Sequence, residues 1–350
     1  ETVMSKQDRE IRIGICASHT RSNERKACEG IAAFVRDRPN WRLTMFSNRH
    51  PLSVELSGFD GFIWDVVDEK TAEILTATGK PVIDLANDGK YVYFTAPDYH
   101  PVNNYLWRVN IRTRKVEQMT CETGWHDIEM APDCKSYLDV YQCLGKAPVS
   151  RIKSVKGKIL ETLVESSDPT EEYAYTEIDM GTVTSPNGSD LNYYRMVKPL
   201  NFDPSKKYPL IIYVYGGPHS QMVRNTCFGG LRMWEMYMAQ RGYVVFVMDN
   251  RGTQRHGAAY EHAIYGQCGQ KEMEDQMQAL RMLMEIPWID KERIGVDGWS
   301  YGGFMTLSLA TNYPDIFKVA VAGGPVIDWK WYEVMYGERY MGTPQSNPEG

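Results

Sequence analysis

The chain has 350 residues, 43% of them apolar and 12% aromatic, which is globular composition with room for two or three domains. Its formal net charge of −6 argues against nonspecific binding to nucleic acid or to an anionic membrane. No run reaches the roughly 18 apolar residues of a membrane-spanning helix. No apolar signal-peptide core follows Glu1, which leaves a removed leader, a fragment or a cytoplasmic chain as alternatives.

Residues 1–86 alternate apolar runs with amphipathic stretches. Ile11–Ala17, Trp41–Phe46, Phe59–Val66 and Pro81–Leu85 read as strands, and Ser22–Arg36 and Lys70–Thr78 as helices. Strands alternating with helices imply parallel βαβ units, here enough for half of a doubly wound domain. The basic residues Arg21, Arg25, Lys26, Arg36, Arg38 and Arg42 read as a solvated face.

Residues 87–175 change period to strict alternation, as in Tyr91-Val92-Tyr93-Phe94 and Tyr105-Leu106-Trp107-Arg108-Val109. A weak repeat runs through them. Asp88-Gly89-Lys90 returns as Asp133-Cys134-Lys135, and Lys115-Val116-Glu117 as Lys158-Ile159-Leu160. A repeat of about 40–45 residues built of short strands has the size of a β-propeller blade. Two blades fit here; an ordinary β meander is the alternative.

Residues 176–350 return to α/β patterning. Tyr173–Met180 and Leu191–Val197 read as a leading antiparallel pair with a turn at Pro186-Asn187-Gly188. Leu210–Tyr215, Tyr243–Met248, Ile294–Val296 and Val319–Ala322 read as buried strands, and Leu231–Gln240 and Glu274–Glu285 as helices. The Met277, Leu280, Leu283, Met284 side of the second helix reads as core.

The chemistry concentrates here. Gly298-Trp299-Ser300-Tyr301-Gly302-Gly303 lies between a short strand and the helix-like run Phe304–Leu309. That is the strand–turn–helix context in which Gly-x-Ser-x-Gly presents a nucleophilic serine in an α/β-hydrolase; a solvent-exposed turn serine is the bland alternative. Such a serine needs a base and an acid, in the chain order Ser, Asp or Glu, His, yet no histidine follows Ser300. Tyr215-Gly216-Gly217-Pro218 follows a strong strand, where a Tyr O–H and backbone N–H groups suit an oxyanion hole, with the Tyr301 N–H as the other donor. Tyr215 could equally be an aromatic that closes the strand. Asp249-Asn250-Arg251-Gly252 reads as loop bracing, and Asp297 as an acid pointing away from the serine. Trp329, Trp331, Tyr332, Tyr336 and Tyr340 form a pocket suited to a prolyl ring, or a core or lid cluster.

The seven cysteines show no C-x-x-C and no metal-ligand spacing. They read as buried free thiols, with one disulfide among Cys121, Cys134 and Cys143 as the alternative.

These runs together resemble the dipeptidyl peptidase IV branch of the prolyl oligopeptidase family over about residues 87–350. Lys207-Tyr208-Pro209-Leu210 leads into Tyr213–Pro218, then come Asp249–Gly252, Gly298–Gly303 and Tyr336-Gly337-Glu338-Arg339-Tyr340-Met341-Gly342. The resemblance implies a serine exopeptidase that releases X-Pro or X-Ala dipeptides from peptide N-termini. It implies Ser300 as nucleophile, Tyr215 and Tyr301 at the oxyanion, and a prolyl pocket of Val326, Trp329, Tyr332 and Tyr336. It implies a peptide substrate, no cofactor or metal, a homodimer in the full-length family, and a periplasmic or extracellular setting. The family's catalytic Asp and His would lie beyond Gly350, and the glutamates that grip the substrate's ammonium upstream; Glu171-Glu172 is not that pair.

Residues 11–86 instead resemble half of a periplasmic-binding-protein-like sugar-sensing domain of xylose-operon regulators. The residues are Arg12-Ile13-Gly14-Ile15, Glu29-Gly30-Ile31, Phe59-Asp60-Gly61-Phe62-Ile63 and Gly79-Lys80-Pro81-Val82-Ile83, and the setting this implies is cytoplasmic. The expected architecture is α/β: a βαβ half-domain (1–86), the last blades of a β-propeller (87–175) and a partial α/β-hydrolase domain (176–350). The expected function is a dipeptidyl peptidase, inactive as this chain alone, or a non-enzymatic sugar-binding or regulatory chain with a vestigial peptidase domain.

Overall fold

The computed structural model describes residues 11–16, 41–46, 61–64, 84–87, 89–131, 133–168, 170–171 and 175–348. The chain divides into two units, residues 1–74 and 75–350. In the first, β1 (Ile11–Cys16), β2 (Trp41–Phe46) and β3 (Gly61–Trp64) run parallel in the order β2-β1-β3. Parallel neighbours need long crossovers, as βαβ units provide. The helices expected at 22–36 and 70–78 lie outside the described residues, as do Glu172 and, apart from Arg42, the basic residues of the expected solvated face.

The second unit opens with two antiparallel sheets of four strands each. The first holds β4 (Asp84–Asn87), β5 (Tyr91–Ala96), β6 (Tyr105–Asn110) and β7 (Val116–Gln118) in sequence order. The second holds β8 (Trp125–Met130), β9 (Ser136–Cys143), β10 (Lys146–Ser154) and β11 (Ile159–Glu165), again as a meander. These are two propeller blades. The repeat in the sequence is a repeat of turns: Gly89 (φ 80°) and Cys134 (φ 51°) occupy one left-handed position, and Arg114 (φ 62°) and Gly157 (φ 82°) another. One expectation fails here. The strand read at Pro81–Leu85 as part of the parallel half-domain is found at Asp84–Asn87, paired antiparallel to β5. Its run is short and apolar, and such a run carries no signal for which sheet receives it.

The remainder is one six-stranded sheet. Its strands are β12 (Ile178–Thr184), β13 (Leu191–Val197), β14 (Tyr208–Tyr213), β15 (Val244–Met248), β16 (Ile289–Trp299) and β17 (Phe317–Gly323). The spatial order is β12-β13-β15-β14-β16-β17. The leading hairpin is antiparallel, β13 pairs antiparallel to β15, and the rest are parallel. The expected turn is present, with Gly188 at φ 77°, although β12 begins five residues later than Tyr173. All five residues of β15 are buried, as a central strand covered on both faces requires.

The described helices of this part are α1 (Met233–Gln240), α2 (Ala258–Glu261), α3 (Gln270–Met284), α4 (Tyr301–Asn312) and α5 (Val334–Met341). Leu210, Ile212, Val214, Phe246 and Val296 from the strands pack with Met277, Leu280 and Leu283 of α3 and Met305 and Leu309 of α4. The methionine side of α3 is therefore core. The chain leaves β14 toward β15 on one side and comes back to β16 on the other. That reversal opens a crevice at the carboxyl ends of β14 and β16, where open α/β sheets hold ligands.

Candidate active site

Ser300 stands in that crevice, directly after β16 and as the N-cap of α4. Its φ of 60° and ψ of −116° are unfavourable for a residue with a Cβ, at a cost of about 1–3 kcal/mol. The surroundings hold it there: the Ser300 N–H donates to Gly323 O (2.8 Å) and its carbonyl accepts from Phe304 N (3.1 Å). Two glycines are required by close backbone approach. A Cβ on Gly298 would lie 2.3 Å from Gly302 O and 2.5 Å from Val214 O; one on Gly302 would lie 2.2 Å from Val214 O. The sharp strand-to-helix turn thus packs against the end of β14 with no room for a methyl group. Among the described residues, nothing hydrogen-bonds the Ser300 hydroxyl.

Tyr215 leaves β14 beside it. The Tyr215 and Tyr301 rings are 6.2 Å apart. Burial, and then the neighbouring Tyr332, push the Tyr215 phenol upward, so it stays protonated and able to donate. Tyr301 is the first residue of α4, so its N–H has no acceptor within the helix. Its side chain is buried, and its hydroxyl donates to Glu272 Oε1 at 2.5 Å.

The aromatic residues converge on the same place. Trp329 lies 5.6 Å from Tyr301, and Tyr336 stacks parallel to Trp329 at 5.9 Å. Tyr332 meets both edge-on, at 5.9 and 5.3 Å. Val326 is buried in the loop that leads from β17 to them. Trp331 points elsewhere and is 80% exposed. A cavity of about 540 Å³ beside the cluster is lined by Trp329, Tyr332, Glu333 and Met341. Neither Ser300 nor Tyr215 lines it, so it is not the space in front of Ser300.

The loop after β15 braces this arrangement. Asp249 accepts from Met222 N (2.7 Å) and Val223 N (2.8 Å), and burial pushes its carboxyl up to about 7. Arg251 grips buried Asp275 through Nε (3.0 Å) and Nη2 (2.8 Å). Asn250 Nδ2 donates to Gly216 O at 3.1 Å, in the loop that carries Tyr215. Asp297 lies in β16 and lines a separate groove with Trp234 and Arg293, away from Ser300. The five described cysteines, Cys121, Cys134, Cys143, Cys227 and Cys268, are free. Among the described residues no group of three His, Cys, Asp or Glu is placed to hold a metal ion, and no helix is long and apolar enough to cross a membrane.

Two residue roles escape the sequence reading. Glu272 sits in a run, Glu272-Met273-Glu274-Asp275, that looks like a solvated first turn, yet Glu272 and Asp275 are fully buried. Gln276 looks like one more surface amide, yet its Nε2 donates to Asn250 Oδ1 at 3.0 Å. The available signal was Gly269 three residues before Glu272, a helix-start spacing.

A model of the prolyl oligopeptidase family matches residues 230–350, and a model of the dipeptidyl peptidase IV N-terminal region matches residues 8–148. The second match includes residues 11–86, which the sequence reading sets apart from this family as a sensor half-domain. Human dipeptidyl peptidase 8 is 33% identical over 274 residues, 75% of this chain and 30% of that protein. Mouse prolyl endopeptidase FAP is 42% identical over 153 residues, 43% of this chain and 20% of that protein. A Bacteroides ovatus structure assigned as a dipeptidyl aminopeptidase IV superposes with a TM-score of 0.73 at 41% identity, covering 77% of this chain and 39% of that one. Porphyromonas gingivalis dipeptidyl peptidase 4 gives 0.72 at 30% identity, with the same coverage. The chain therefore spans about a third of the length of the relatives it matches. With two antiparallel blades joined to a hydrolase sheet that carries a strained serine, the chain belongs to the dipeptidyl peptidase IV branch of the prolyl oligopeptidase family.

Proposed function

We propose that this chain carries the nucleophile half of a serine exopeptidase that releases X-Pro or X-Ala dipeptides from peptide N-termini. The observation that carries the reading is Ser300 held at φ 60° between the Tyr215 loop and the aromatic cluster. In the proposed reaction Ser300 Oγ bonds to the carbonyl carbon of the second residue and passes its proton to a base. The oxyanion accepts hydrogen bonds from the Tyr215 O–H and the Tyr301 N–H. The C–N bond then breaks, the amine leaves with the proton, and water cleaves the dipeptidyl ester. Trp329, Tyr332 and Tyr336, with Val326, are proposed to surround the prolyl ring. A homodimer is part of the same proposal and is read by the mass in solution.

The test is hydrolysis of a Gly-Pro chromogenic amide by the protein purified from its source. The expected result is turnover that disappears in Ser300→Ala. Turnover that survives the substitution overturns the reading.

The parallel order β2-β1-β3 favours a second proposal for the first unit, residues 1–74: a sugar-binding half-domain. A pentose should then raise the temperature of thermal unfolding; no shift at millimolar xylose overturns it.

A further inference from the structure

The fully buried carboxyl of Glu272 is not explained by helix capping alone. Its oxygens accept from Gly269 N, both at 3.0 Å, which an exposed Glu at the third helical position could also achieve. Removing a carboxyl from water is costly unless its hydrogen bonds repay it. The remaining partner of Glu272 is the Tyr301 hydroxyl at 2.5 Å, and both partners are neutral. One turn further along α3, on the same face, Gln276 is also buried. Its Nε2 donates to Met248 O (3.1 Å) and to Asn250 Oδ1 (3.0 Å), and Asn250 in turn donates to Gly216 O (3.1 Å). Between them, Asp275 ties Arg251 and Ser185 to the same helix. The first half of α3 thus turns a polar face inward, and its later residues Ala279, Leu280 and Leu283 turn an apolar one.

The two ends of this polar face reach the two sides of the proposed oxyanion site. We infer that α3 is its positioning element: Glu272 fixes Tyr301, and Gln276, through Asn250, fixes the loop that carries Tyr215. The inference rests on the peptidase reading above. Glu272 and Gln276 touch no substrate; they act through the residues that would. An oxyanion donor contributes about 100- to 1000-fold to kcat, and a donor displaced rather than deleted should lose part of that.

The test uses the protein as purified from its source, with a Gly-Pro chromogenic amide. Glu272→Ala and Gln276→Leu are expected to lower kcat about tenfold with KM within about twofold, the signature of an interaction realised in the transition state. Glu272→Gln should recover most of the loss, because its amide oxygen still accepts from the tyrosine hydroxyl. Tyr301→Phe removes a single oxygen, keeps the fold, and should match Glu272→Ala. The double variant should lose no more than the worse single one. A kcat unchanged in Tyr301→Phe and Gln276→Leu, with only a lower melting temperature, overturns the inference and leaves the peptidase reading standing. Turnover that is absent from the unsubstituted protein, or that survives Ser300→Ala, overturns the peptidase reading and this inference with it.

Discussion

Tyr215 and Tyr301 face each other across Gly217. A Cβ at that glycine would lie 2.8 Å from Tyr215 Cε1 and 3.0 Å from Tyr301 Cγ, so the residue between the two proposed oxyanion groups is a spacer of fixed size. Gly217→Ala should push the rings apart. We expect an overpacking cost of about 1–3 kcal/mol and a kcat loss of about tenfold or more. Chemical denaturation and steady-state kinetics on the same preparation check both.

Gly298→Ala should be more severe. The intruding methyl group would meet backbone, Gly302 O and Val214 O, which cannot swing aside as a side chain can. We expect a loss of about 3 kcal/mol or more, read as a lower denaturation midpoint or as insoluble protein. An alanine variant with the unsubstituted midpoint would contradict the close packing of β14 against the turn.

Glu272 should make stability fall as pH rises. Burial, the largest cause, pushes its carboxyl from 4.5 up to about 7 against the lowering effect of the Tyr301 bond. Between those values the folded chain binds more protons than the unfolded one. The contribution is therefore most favourable below about pH 4.5 and is lost by about pH 7, to the extent of about 3 kcal/mol at most. Buried Asp249, also pushed up to about 7, acts in the same direction, so melting temperatures across that range should slope downward and Glu272→Gln should reduce the slope without abolishing it. An equal slope in the variant would place the titration elsewhere.

Arg195 and Glu235 form a fully buried ion pair, with Nη2–Oε1 at 2.7 Å and Nε–Oε2 at 3.0 Å. Arg195 also donates to Met222 O and Gly229 O, so it links β13, α1 and the segment after the Tyr215 loop. Glu235→Ala strands a buried guanidinium and should cost about 3–5 kcal/mol. Replacing both residues with apolar ones of similar volume should cost less than the single change, as equilibrium unfolding will show.

The sequence made the central hydrolase strand legible because strands buried on both faces are continuous apolar runs; Val244–Met248 is the example. The strand-to-helix turn at Ser300 was legible from glycine spacing, which follows from the backbone clashes at 298 and 302. The blades were legible from turns. Two of the four left-handed positions fall on Arg114 and Cys134, residue types that hide a turn, so the repeat looks weak in letters and regular in φ. The polar face of α3 was not legible: Glu272, Asp275 and Gln276 are residue types that usually face water. Only Tyr301, Arg251 and Asn250, distant in sequence, show why they do not. Likewise nothing in Asp84–Asn87 marks it as the first strand of a blade rather than the last of a parallel sheet.

The account turns on Ser300 as a nucleophile with a prolyl pocket beside it, and covalent labelling tests that most directly. The protein purified from its source is treated with a Gly-Pro diphenyl phosphonate and digested, and the modified peptide is sequenced by mass spectrometry. The account predicts one adduct, on Ser300, that forms faster than with a Gly-Gly phosphonate. No adduct, or an adduct on another residue, would contradict it.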